Sequence, residues 1–245
     1  MRVFLRRDAD SEYPSVNFAV AAHGFREMGW ELIGYQDVTT ILPELRREDV
    51  VVDFVDESRQ ALRHLGIDPP SIPTYPEALR PFLGRTIWTS TIDRIAAAPE
   101  QWPIFVKPLG DSKKFTGVLV RGPGDLVGCG DPSADTPIWC SEPVRLLREW
   151  RCFVYYGKIL DVRPYKGDWR HFFDAPIIES AITAWQDKPR GCALDFGADD
   201  RGRTLLVEAN DGFALGAYGL PPLLYARLLS ARWSEMTGAK DFCDF

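Results

Sequence analysis

Two carboxylates and one amide near the end of the chain are spaced to hold a divalent cation. The stretch CALDFGADDRGRTLLVEANDGF, residues 192–213, contains Asp195, Glu208 and Asn210. It reads as a β-hairpin. Strand residues alternate faces, so Glu208 and Asn210 point the same way. With the turn at Asp200-Arg201, Asp195 sits opposite Leu206, on the face that Glu208 and Asn210 share; a bulge in the ADDRG turn would change that register. Oxygen donors of this type suit Mg²⁺, which keeps its remaining positions for water and phosphate. A single acid at a strand end is ordinary solvated surface. The set is more telling, because TLLVEAN is apolar up to Val207, then abruptly polar, and glycine-rich NDGFALGAYG follows. A buried strand ending in a polar cluster and a loop is a common place for a site.

Cations lie upstream. Lys107 ends the apolar run IFV and precedes Pro108. A lysine on such a strand needs a partner, because a buried unpaired ammonium is costly. Phosphate and a structural carboxylate are equally good candidates. GDSKKFTG, 110–117, carries Lys113 and Lys114 between two glycines and reads either as a lid over phosphates or as a solvated turn. In EWRCFVYYGKILDVRPYKGDWRHFF, Arg151 shares strand parity with Glu149 and Phe153, while Arg163 and Lys166 fall on or just after the next strand. Three cations beside three oxygen ligands suit a polyphosphate and an anionic intermediate. The plainer alternative pairs Arg151 with Glu149 or Glu142, and Arg163 with Asp161 or Asp168. Trp169, His171 and Phe172 read equally as pocket lining or as core and loop residues.

The elements that must position these groups fall into two parts. Residues 1–67 alternate strand and helix: a strand at 2–5, a helix ending near Gly29, strands at ELIGYQDV and DVVVDFV, and a helix opened by Asp56 and Ser58 and stopped at Gly66. IDPPSIPTYPEALRPF, 67–82, reads as an extended connector. A short helix follows at TIDRIAAA. WPIFVKPL and FTGVLVRG read as a hairpin, PIWCSEPV as a strand, and EWRCFVYYGKILDVRPYKG as a hairpin turning at Tyr156-Gly157-Lys158. The chain closes with the metal-binding hairpin and a helix after Pro221-Pro222.

The whole sequence has 245 residues, 45% hydrophobic and 26% charged, with a net charge of −6. That is the make-up of an ordinary soluble globular protein and disfavours broad nucleic-acid binding, which needs a basic face. The five cysteines form no C-x-x-C pair and the three histidines are scattered. Neither a disulfide framework nor a zinc site is expected. The charged N-terminus and the lack of a long apolar run predict no signal peptide and no membrane span, and so a cytoplasmic protein.

Asp195-Phe196-Gly197 matches the metal-binding tripeptide of protein kinases. That reading fails on order: no H-R-D loop precedes Asp195, no G-x-G-x-x-G precedes Lys107, and only about fifty residues follow Asp195. Taken in chain order, FVKP (105–108), DSKKFTG, WCSEPVRLLREWRCFV and LDFG…LLVEAND resemble the ATP-grasp superfamily, in particular its small clade named for two arginines and a lysine. The likeness covers roughly residues 80–222. The loop is poorer in glycine than in many relatives and the N-terminal part is short.

The resemblance implies an α/β (α+β) ATP-grasp fold: a pre-ATP-grasp-like α/β region over 1–80, then an ATP-grasp domain over 81–245. Within it, a smaller subdomain (81–140) and a larger one with the metal site (141–245) clasp ATP between antiparallel sheets. It implies that Lys107 contacts the α/β phosphates and Lys113 or Lys114 the β/γ phosphates. Backbone groups around Glu142 to Val144 read adenine and Glu149 holds the ribose. Asp195, Glu208 and Asn210 bind Mg²⁺, and Arg151 and Arg163, with Lys166, stabilise the transferring phosphoryl group and an acyl phosphate. The implied activity is an ATP- and Mg²⁺-dependent ligase. It joins a carboxylate of a small molecule, peptide or protein tail to an amine or another nucleophile, with no nucleic acid or membrane as partner. A phosphotransferase on the same scaffold and a non-catalytic nucleotide-binding module are the alternatives.

Overall fold

The structure, a computed structural model, describes residues 1–71, 73–110, 115–130 and 134–244. Lys113 and Lys114 lie outside the described residues. The described strands form three sheets. In the first, β1 (Arg2–Arg6) lies between β2 (Glu31–Tyr35) and β3 (Val50–Val52), all parallel. Val3, Phe4 and Leu5 are all buried, as are Val50, Val51 and Val52. Such two-faced burial explains their unbroken apolar runs. The connections are α1 (Val16–Glu27) and, after β3, α2 (Val55–His64). Gly29 and Gly66, just past these helices, both have φ of 73°, a conformation that favours glycine.

The proline-rich connector is less extended than its sequence suggests: Glu77–Phe82 winds into 3₁₀ turns. Then come β4 (Ile87–Thr91), α3 (Ile92–Ala96), β5 (Ile104–Pro108), β6 (Val118–Val120) and β7 (Pro137–Ser141). They form an antiparallel sheet in the order β4-β7-β5-β6. Strand β4 was not expected from the sequence, because its residues are mostly half-buried and lack a clean alternation. The third sheet is built by β8 (Leu146–Tyr155), β9 (Lys158–Gly167), β10 (Gly191–Asp199) and β11 (Thr204–Asp211), in the order β11-β10-β8-β9. Helix α4 (Ala175–Ala184), also unforeseen, lies between β9 and β10, and α5 (Pro222–Thr237) follows β11.

The third sheet has a core on each face. Cys152, Val154, Leu194, Phe196 and Leu206 cluster with Ile178 and Ile182 of α4 and with Leu79. On the opposite face, Phe153 and Ala193 join the core of the first sheet, together with α1 and α5. The two helices cross so closely that a Cβ on Gly24 would lie 2.0 Å from the Pro222 carbonyl oxygen. The same β8–β10 face that carries Phe153 and Ala193 continues into Arg151 and Asp195. An apolar face thus turns polar within one strand alternation.

Candidate functional site

The register of β10 with β11 differs from the one the sequence suggested. Asp195 pairs directly with Glu208, and Phe196 with Leu206. Val207 is the extra residue of a β-bulge. Without it, Leu206 would share the polar face of Glu208 and Asn210. The bulge instead turns Leu206 into the core beside Phe196, and both are fully buried. Asp195, Glu208 and Asn210 still converge, since cross-strand partners share a face.

Arg85 meets this bulge from the free edge of β11. Its Nη1 donates to the carbonyls of Leu83 at 2.9 Å and Leu206 at 2.8 Å, and its Nη2 donates to Val207 at 3.1 Å. Further along the same edge, the Ala209 N–H donates to the Thr74 carbonyl.

Asp195 and Glu208 each have a cation partner. Arg151 holds Asp195 with two bonds of 2.8 Å, from Nε and Nη2 to the two carboxylate oxygens. Both are buried, at 6% and 2% exposure. This is the planar, bidentate geometry that arginine offers and lysine does not. Burial pushes the Asp195 carboxyl up from its ordinary value, opposed by Arg151 and reinforced by the charge of Glu208. Lys107 on β5 donates to Glu208 at 2.7 Å, linking the second and third sheets. Burial alone would raise the Glu208 carboxyl; the Lys107 charge and hydrogen bond hold it below its ordinary value. Asn210 Nδ2 donates to Asp195 at 3.3 Å. Arg151 therefore pairs with neither Glu149 nor Glu142.

Aromatic rings surround these cations. Tyr75 lies 4.5 Å below the Lys107 ammonium, and Tyr218 lies 4.4 Å from the Arg151 guanidinium. Tyr218 stacks on Tyr165, 4.9 Å between centroids, and the Tyr165 hydroxyl donates to Glu149 at 3.0 Å. Sequence reasoning missed Tyr75, Arg85, Tyr165 and Tyr218. The available signal was the glycine or proline beside each of them (Tyr75 precedes Pro76, Arg85 follows Gly84, Tyr165 follows Pro164, Tyr218 precedes Gly219).

A cleft of about 980 Å³ opens over this group, lined by Lys107, Arg151, Tyr165, Asp195, Glu208 and Asn210 among others. A neighbouring cavity of about 450 Å³ shares Asn17, Val55, Arg59, Phe213, Ala214 and Leu215 with it. The remaining residues singled out from sequence lie outside both linings. Lys166 donates to Glu149 at 2.6 Å across β8 and β9. Arg163 pairs with Asp161 at 3.3 Å, and its buried Nε makes no hydrogen bond among the described residues. The Glu142 carboxylate accepts from the Thr86 N–H at 2.8 Å, and the Glu142 N–H donates to the Thr86 carbonyl. Val144 follows on the connection from β7 to β8. Trp169 and Phe172 are 74% and 77% exposed on the loop after β9, with His171 between them, and none of the three lines either of these two cavities.

The donor set fits a hard divalent cation. Asp195 and Glu208 face each other across the hairpin, Asn210 lies on the same face, and all three line one cleft. Among the described residues no cluster of three or more His, Cys, Asp or Glu could hold a metal. Two carboxylates and an amide suit Mg²⁺, which fills its octahedron with phosphate oxygens and water. No helix among the described residues is long and apolar enough to cross a membrane.

The comparisons with known proteins agree with this architecture. No curated protein matches the chain. D-alanine–D-alanine ligase from Bacillus anthracis superposes with a TM-score of 0.60 at 14% identity, over 97% of this chain and 97% of that one. N5-carboxyaminoimidazole synthetase from Staphylococcus aureus gives 0.58 at 13%, over 98% of this chain and 77% of that one. The macrocyclase MdnC from Microcystis aeruginosa MRC, bound with precursor peptide MdnA, gives 0.52 at 14%, over 98% and 100%. At such identities the likeness speaks for the fold. A family model described as an ATP-grasp domain, R2K clade family 2, matches residues 82–228, a span that holds Lys107, Arg151, Asp195, Glu208 and Asn210. The chain therefore belongs to the R2K clade of the ATP-grasp superfamily.

Proposed function

We propose that the protein is an ATP- and Mg²⁺-dependent ligase that activates a carboxylate and joins it to an amine. The carrying observation is the meeting of Lys107, Arg151, Asp195, Glu208 and Asn210 in one cleft, with each acid already matched to a cation. In this reading a substrate carboxylate oxygen attacks the γ-phosphorus of ATP and the β–γ bridging bond breaks. ADP leaves, and an acyl phosphate remains. The amine then attacks the acyl carbon, phosphate leaves with the bonding electrons, and the nitrogen gives up a proton. Magnesium, when held by Asp195, Glu208 and Asn210, supplies charge neutralisation at the phosphate oxygens. Lys107 binds phosphate from β5, and Arg151 stabilises charge on the transferring group from the cleft floor. Glu149, fixed between Tyr165 and Lys166, orients the ribose hydroxyls, while the Glu142–Val144 connection lies beside adenine. Arg163 carries a spare buried donor toward the same end of the sheet.

The smaller cavity is proposed as the place of the substrate's apolar part. It lies at the carboxyl ends of the parallel strands, the usual ligand edge of such a sheet. Phe18, Val52, Leu215 and Trp233 line it, with Asp53 and Asp56. Those walls favour an amine that carries an apolar side chain, such as an amino acid or peptide terminus.

The test is a screen of amino acids and peptides for ADP release, with products read by mass spectrometry. The combined variant Glu208→Gln, Asn210→Ala is expected to abolish turnover; survival of turnover with the true substrate would make the metal assignment wrong. Phosphate release that depends on added amine marks a ligase. Phosphate transferred to a stable product marks a phosphotransferase, and nucleotide binding without turnover marks a non-catalytic module.

A further inference from the structure

We infer that Arg85 is a positioning residue for the metal-binding acid Glu208, acting through the backbone of the β11 bulge. The inference rests on the ligase reading for its metal but on the bulge for its argument. In a regular strand, consecutive carbonyls point to opposite edges. The carbonyls of Leu206 and Val207 are consecutive, yet both accept from one guanidinium, at 2.8 and 3.1 Å. Only a local break in the pleat brings two such oxygens to one side, and the break lies where the register jumps from Glu208 to Leu206 opposite Asp195 and Phe196.

A bulge leaves backbone groups without ladder partners, and a half-buried carbonyl without a donor is costly. Val207 is only partly exposed, and β11 is an edge strand, so no neighbouring strand can supply the donor. The rigid fork of Arg85 supplies it to two residues at once. Its third bond, to Leu83 at 2.9 Å, anchors the fork to the chain just before β4. Glu208 is the very next residue after the clamped Val207 carbonyl.

Removing the clamp releases the register in which Glu208 faces Asp195. The regular alternative, continuing the pairs from Ala198–Thr204 to Phe196–Leu206, places Val207 opposite Asp195 and moves Glu208 one residue on, opposite Leu194 and onto the other face. Arg85 lines neither cavity and makes no hydrogen bond to Asp195, Glu208 or Asn210 in the described structure; its charge acts on Glu208 through space, but Arg85→Lys keeps that charge, so a loss of metal affinity in the Lys variant travels through the strand.

The experiment measures Mn²⁺ binding in the presence of ADP, by electron paramagnetic resonance, for wild type, Arg85→Gln, Arg85→Lys and Leu205→Ala. Melting temperature and metal-free ADP binding are recorded alongside. Both Arg85 variants are expected to lose at least tenfold in Mn²⁺ affinity, Lys included, because a single ammonium cannot span two carbonyls. Metal-free ADP binding should change less than threefold. Leu205→Ala should lower the melting temperature while Mn²⁺ affinity stays within twofold. If Arg85→Gln does not fold, Arg85→Lys decides alone. Mn²⁺ affinity within twofold of wild type in a folded Arg85 variant overturns the inference. So does a loss that Leu205→Ala reproduces at equal destabilisation. A wild type that binds ADP but takes up no Mn²⁺ overturns the metal reading and this inference together; Mn²⁺ binding by wild type with no loss in Arg85→Lys overturns this one only.

Discussion

Lys107 and Glu208 lie 101 residues apart, on different sheets, and meet at 2.7 Å across the cleft. The contact answers the question raised by a lysine on an apolar strand: its partner is Glu208, one of the two acids proposed to hold Mg²⁺. It also places the cation proposed to bind phosphate and an acid proposed to bind metal within one hydrogen bond of each other. An incoming nucleotide would therefore exchange partners rather than meet bare charges.

Replacing Lys107 with Met should weaken ATP binding by roughly 10- to 100-fold, the equivalent of one charge-assisted contact of about 1.5–3 kcal/mol. Lys107→Arg should recover part of that loss. Isothermal titration with a non-hydrolysable ATP analogue checks both, and unchanged affinity in Lys107→Met would remove Lys107 from the phosphate site.

Asp195→Asn should destabilise the fold, because it leaves Arg151 buried without its anion. Breaking a buried pair costs roughly 3–5 kcal/mol, or a fall in melting temperature of roughly 6–20 °C at this chain length. The double variant Arg151→Met, Asp195→Leu should regain most of that stability while remaining inactive. Calorimetry of the three proteins separates the pair's structural role from its proposed chemical one.

Asp199 staples the turn that joins β10 and β11. Burial would raise its carboxyl, but bonds from the Arg203 and Arg201 backbone and the Arg203 side chain hold it below its ordinary value. An acid whose folded value is depressed contributes stability above its unfolded value, about 3.9, and loses it as pH falls through the folded value. Asp199→Asn should therefore be less stable than wild type by roughly 1–2 kcal/mol at pH 7, with the gap closing below about pH 4. Melting curves from pH 7 to pH 2.5 test this; a gap that persists at the acid end contradicts it.

All five cysteines are buried. Burial pushes the Cys140 and Cys243 thiols up to about 11 and Cys152 up to about 12. Attack needs the thiolate, so the native protein should show no rapid reaction with a disulfide reagent at pH 8, and five equivalents after denaturation. A fast-reacting native thiol would mean that one of these sites opens to solvent.

Much of the site was legible because its residues break an apolar pattern. Glu208 and Asn210 interrupt TLLV, and Lys107 interrupts IFV. The register was not legible, because a bulge is a backbone event and Val207 is as good a strand residue as its neighbours. Helix α4 was not expected because its apolar period, Ile178, Ala181 and Ile182, spans little more than one turn and its start carries no side-chain cap. Strand β4 was hidden for a different reason. Its Ile87 and Trp88 are half-buried by contacts with a partner strand that follows some fifty residues later. The stacked pair Tyr165 and Tyr218 likewise depends on strand β9 and the loop after β11 meeting in space, which spacing along the chain does not reveal.

The edges of the third sheet have a bearing on solubility. An uncovered edge strand is a template on which another chain can add itself. On β11 that template is taken up, because Arg85 occupies the Leu206 and Val207 carbonyls and Thr74 accepts from Ala209. On β9, the other edge, register breaks fall at two places, and Pro164, Lys158 and Lys166 interrupt the row. Neither border offers a long, regular stretch for strand addition. Variants at Arg85, which uncover the β11 edge, are therefore where self-association through strand addition should first appear.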